Sequence, residues 1–90
     1  MTVQQLLSNR DRWVQRKTAV DKQGLEVDPR HPDACRWCIV AAIYRCYRAA
    51  GARHRALDRL RAIVPLPVEW NDNPRRTFTE VKRVIVQAEL

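Results

Sequence analysis

The chain reads as a mainly α domain: a compact bundle of about four helices around a buried central helix at 32–50, with a short β-hairpin at 17–27. Three observations predict it. Trp37 to Tyr44 is a run of eight residues without a charge or an amide, whereas a surface helix places a polar residue every three or four positions. Two later segments, 52–64 and 78–89, carry apolar residues at helical spacing. Asp28-Pro29, Gly51, Pro65 and Pro67 fall between these segments, where turn formers and helix breakers belong.

Ninety residues, of which 46% are hydrophobic, make a single domain, 1–90. A chain of this size buries only about 60–65% of its unfolded surface, so one core is expected. The uncharged run is far shorter than the roughly 20 apolar residues a membrane span needs, and no membrane association is expected.

Taken in order, Thr2 is a cap for a first helix at 3–14, with Val3, Leu6, Leu7 and Val14 on one face. Two β-prone pieces then flank Asp21-Lys22-Gln23-Gly24, and Gly24 supplies the positive φ that closes the hairpin. Pro32 and Asp33 suit the first turn of the central helix, and Gly51 suits its left-handed end. In the helix at 52–64 the apolar stripe is Ala56, Leu57, Leu60, Ile63 and Val64. Residues 65–76 read as an ordered loop, extended at Pro65 and Pro67 and turning at Asn71-Asp72-Asn73-Pro74. Thr77 with Glu80 forms a capping-box pattern before the last helix, whose inner side is Phe78, Val81, Ile85 and Ala88.

Charge bears most directly on function. Seventeen basic residues face ten acidic ones, for a formal +7; three of the basic ones are Lys, which leaves fourteen Arg. Such a balance favours an acidic partner, either protein or nucleic acid, and the arginine fork suits phosphate and carboxylate. The first residues, Met-Thr-Val-Gln-Gln, show no basic start followed by an apolar run. With three Cys, a cytoplasmic location with reduced thiols is the expectation.

Cys35-Arg36-Trp37-Cys38 is a CxxC. Redox use wants a βαβ context that the chain lacks. Zinc wants four ligands, and Cys46 is about 12 Å further along a helix, so no metal and no cofactor are expected. Cys38 with His31 as base and Asn71 or Asp72 as orienter is the one arrangement that suits an enzyme, a cysteine-dependent one. Its apolar surroundings disfavour the thiolate.

Trp37-Cys38 with Ala41-Ala42-Ile43, and Trp70-Asn71-Asp72-x-Pro-x-Arg-Thr, resemble the motifs of an uncharacterised family of small bacterial and phage proteins. The resemblance covers most of the chain, including Asp28-Pro29, with Ala41 where the family usually has Gly. It implies the fold outline and no particular activity. The loop motif Trp70, Asn71, Asp72 has two readings: a ligand-binding loop, or a Trp plugging the core while Asn and Asp bind backbone amides.

Arg45, Arg48, Arg53, Arg55 and Arg59, with His54 and Arg61 and with Tyr44 and Tyr47 between them, form a basic cluster across two helices, the footprint of a phosphate-binding surface. The helix-Gly-helix order resembles a helix-turn-helix, although Tyr47 stands where that motif wants a small residue. The sequence thus predicts a small basic adaptor, of a kind found in phages or mobile elements. Its target is expected to be nucleic acid or a protein that handles it, met by Arg48, Arg53, Arg55 and Arg59.

Overall fold

The computed structural model describes residues 1–90. Its elements are α1 (Val3–Leu6), a 3-10 turn (Arg10–Arg12), β1 (Ala19–Val20), β2 (Arg36–Trp37), α2 (Ile39–Cys46), α3 (Ala50–Ile63), α4 (Pro67–Asp72) and α5 (Phe78–Gln87). The architecture is mainly α with a small antiparallel β element, as the sequence predicts. Helix α2 lies at its centre, packed against α1, α3, α4 and β2, while α5 closes on α1 and α3. The uncharged run is largely interior: Ile39, Ala42 and Ile43 are fully buried, Trp37, Cys38 and Ala41 nearly so, Val40 is partly buried, and Tyr44 is exposed. Burying Ile39 and Ile43 contributes about 1.5–3 kcal/mol each.

The hairpin closes through Gly24 at φ +83°, with the Gly24 amide donating to Asp21 O at 3.0 Å. The Asp21 carboxylate accepts the Gln23 and Leu25 amides, and Val27 N–H donates to Ala19 O at 3.0 Å. A further segment lies on the other edge of β1. There Ala19 stands opposite Trp37 and Val20 opposite Arg36, antiparallel. The Cys35 and Cys38 amides extend the pairing to Val20 O and Thr18 O. Strand alternation then turns Trp37 into the core and Arg36 out to solvent. Trp13 bridges to Trp37 in parallel, which carries the 3-10 turn alongside β2.

Four boundaries differ from expectation. The helix expected at 3–14 stops at Leu6, because continuing it would carry Arg10 onto the buried face with Val3, Leu6 and Leu7. Asn9 instead accepts the Asp11 amide and starts the 3-10 turn. The central helix begins at Ile39 rather than 32, because residues 35–38 are drawn into pairing with β1. Pro32 lies in a turn in which the Ala34 amide donates to His31 O. At the other end α2 stops at Cys46, where Arg30 rather than a left-handed glycine meets a terminal carbonyl, donating to Tyr44 O, and Arg53 holds the segment that follows through Arg48 O. Gly51 accordingly sits in the first turn of α3, and the helix-Gly-helix pattern does not form. The loop expected at 65–76 contains α4, which starts on Pro67 with its φ already set for a helix. The last helix starts as the sequence predicts, with both bonds of the Thr77–Glu80 capping box made.

Candidate functional site

Asn71 is the only fully buried polar residue, and all of its side-chain bonding capacity is used. Its Oδ1 accepts the Trp13 indole N–H at 2.8 Å and the Ile39 amide at 3.1 Å. Its Nδ2 donates to Val14 O at 3.1 Å and to Asp72 Oδ1 at 2.9 Å. Asp72 Oδ1 also accepts the Arg16 amide at 2.8 Å. Trp70, half-buried, carries the Arg76 guanidinium over its ring at 4.1 Å. Arg76 in turn donates to Trp70 O and pairs with Glu80 at 3.2 Å. Each polar member of the loop motif therefore bonds within the chain. Asp72 makes no ion pair.

The arginines divide into two groups. Arg12, Arg30, Arg45, Arg53, Arg59 and Arg76 each donate to a backbone carbonyl. Arg45 fastens the turn at Pro29 and His31 and lies over Trp37 at 5.5 Å, and Trp37 itself donates to Pro29 O. Arg53 lies over Tyr44 at 5.0 Å, and Arg59 caps the end of α5 through Ala88 O and Glu89 O. Three of the six arginines of the basic cluster, Arg45, Arg53 and Arg59, are thus engaged inside the fold. Arg48 and Arg55 are exposed.

The exposed Arg10, Arg16 and Arg36 stand together round a recess of about 420 Å³ beside Trp13, with Asp11 its only carboxylate. A second recess of about 470 Å³ shares Arg10, Trp13, Gln15 and Pro74 with the first and runs on to Phe78. The Phe78 ring lies 6.1 Å from that of Trp13. The sequence does not single this group out. The only signal in it is the Arg36-Trp37 alternation, which acquires meaning once β2 is known to run beside residue 13.

The expected cysteine constellation is not assembled. Cys38 caps α2, its Sγ accepting the Ala41 amide at 3.3 Å. Burial pushes its thiol above the ordinary 9.0, and the nearby Asp72 carboxylate adds to the rise. Cys38 and Asp72 border a small cavity of about 180 Å³ that His31 does not line. His31 is exposed, its Nδ1 accepting the Asp33 amide. All three thiols are free, and no three His, Cys, Asp or Glu side chains converge as a metal site would need. No helix is long and apolar enough to cross a membrane.

A sequence profile described as "Family of unknown function (DUF6197)" matches residues 2–89. Neither a curated protein nor a solved structure matches the chain.

Proposed function

The chain belongs to this family of unknown function, and we propose from its site geometry that it is a small binding protein for a polyanion, specifically nucleic acid, with no catalysis of its own. One observation carries the reading: against a formal +7, the seventeen basic side chains make a single ion pair, Arg76–Glu80. Half of the ten acidic side chains are turned to backbone amides. Asp21, Glu26, Asp28, Asp72 and Glu80 all accept them. Positive charge is therefore left uncompensated at Arg10, Arg16, Arg36, Arg48 and Arg55, all exposed, and phosphate is the ligand chemistry that the arginine fork fits best. Three free thiols suit a reducing compartment such as the cytoplasm.

The test is equilibrium binding of labelled DNA, RNA and polyglutamate across a salt series. The expected result is nucleic-acid affinity that falls linearly on logarithmic axes, with a slope of about −0.7 to −0.9 per phosphate contacted. No affinity for either nucleic acid, or affinity indifferent to salt, would remove the reading. Preference for polyglutamate would transfer it to an acidic protein.

A further inference from the structure

We propose that the bent groove beside Trp13 is a subsite for single-stranded nucleic acid, with Arg10, Arg16 and Arg36 meeting phosphates and the Trp13 indole meeting a base. The proposal rests on the polyanion reading above and gives it a place and a strand type.

The charge there is concentrated and free. Three guanidiniums from separate parts of the chain rim one recess that holds a single carboxylate, Asp11. None of the three belongs to the arginines that hold backbone carbonyls or to the ion pair. The recesses of about 420 and 470 Å³ each fall within the roughly 300–1,000 Å³ of ligand sites. They share Arg10 and Trp13, so an aromatic ring lies beside an arginine in the wall common to both. Basic rims with an aromatic platform are the pattern of single-strand binding, because a base free of a duplex offers its face for stacking. A duplex keeps those faces inside its own stack and leaves the indole unused.

The groove is also held in place by the loop motif, residue by residue. Asn71 fixes the Trp13 indole. The Gln15 amide group donates to Asn71 O at 2.9 Å and Asn73 O at 2.7 Å. Asp72 fixes the Arg16 amide, and Arg16 has φ +67°. That conformation costs a non-glycine residue on the order of 1 kcal/mol. Glycine would avoid the cost, yet the position carries a guanidinium at the rim of the recess. Asn71 and Asp72 thus support the groove without lining it, while Pro74 forms part of its wall.

The experiment uses the full chain and short labelled oligothymidylate and oligouridylate, with a hairpin duplex of equal length, a free mononucleotide and polyglutamate as comparators. Arg10→Ala/Arg36→Ala alters two exposed side chains and is expected to weaken single-strand binding at least about tenfold and flatten the salt slope by about 1.4. Lys82→Ala/Arg83→Ala, the same charge change on the exposed side of α5, is expected to do neither. Photocrosslinking from a thiolated uracil, read after trypsin, should label the peptide Trp13–Arg16. If the loss and the crosslink follow Arg48 and Arg55 instead, the groove is the wrong place and the polyanion reading survives. If the duplex binds as tightly as the single strand, or the mononucleotide matches the oligomer, the strand assignment falls. If only polyglutamate binds, both proposals fall together.

Discussion

Trp13 and Asn71, 58 residues apart in sequence, are joined by a 2.8 Å hydrogen bond from the indole N–H to the buried Oδ1. The same oxygen accepts the first amide of α2, from Ile39. One amide side chain therefore ties the segment after the 3-10 turn to the start of the central helix and to the α4 loop.

Replacing Asn71 with Ala is expected to destabilise the fold by about 3–5 kcal/mol. It orphans the Trp13 and Ile39 N–H groups and the Val14 carbonyl, each at about 1–3 kcal/mol before water relaxes the site. Urea unfolding gives the value directly. A loss below about 1 kcal/mol would mean that the network carries little of the stability. Asn71→Asp keeps the shape but removes both donors and sets a second carboxylate against Asp72, so it is expected to be weak at neutral pH and to recover partly in acid.

Cys38 is expected to stay silent toward a disulfide reagent in the folded protein and to react once denatured. Desolvation raises its thiol, and burial raises that of Cys46 as well. A thiol raised on folding lends stability that is complete below its unfolded value and is lost as pH climbs through the folded one. The fold should therefore weaken above about pH 9, the ordinary thiol value of these groups being 9.0. Rapid native labelling of Cys38 would reopen the cysteine-enzyme reading.

Local patterns were the legible part of the sequence. The uncharged run at 37–44, the Thr77 capping box, the Gly24 turn and the stripe of α3 all depend on residues within a few positions of one another, and all are present, except that Ile63 of the stripe is exposed. Features set by distant partners were not legible. Residues 35–38 look like a helix start until β1 takes their amides. Arg45, Arg53 and Arg59 look like a free surface until their carbonyl partners are placed. The groove at Trp13 was hidden for the same reason, since Arg36 reaches it only through the pairing of Trp13 with Trp37.

Glu80 should impose an acid limb on stability. Its carboxyl lies below the ordinary 4.5, first because it accepts the Thr77 amide, then through the Thr77 hydroxyl and Arg76. A carboxyl lowered on folding stabilises above its unfolded value and stops doing so as pH falls through the folded one. The contribution thus fades below about pH 4.5. Glu80→Gln should flatten that limb in thermal melts taken from pH 6 to pH 3, roughly the window of carboxyl titration. An unchanged limb would assign it to other carboxylates.

Arg16→Gly separates stability from binding at one position. Glycine removes the strain of φ +67°, on the order of 1 kcal/mol, but adds unfolded-state entropy of about 0.4–1 kcal/mol. The variant should therefore unfold within about 1 kcal/mol of the parent, and not below it, because the Arg16 amide still reaches Asp72. Its affinity for single strands should nevertheless fall, with a salt slope lower by about 0.7, the share of one phosphate. Arg16→Lys, which keeps the charge and the strain, should restore the slope while leaving stability where it began. If the glycine variant binds like the parent, Arg16 does not meet phosphate and its left-handed backbone serves only the loop. If it unfolds far more easily, the guanidinium is holding structure instead.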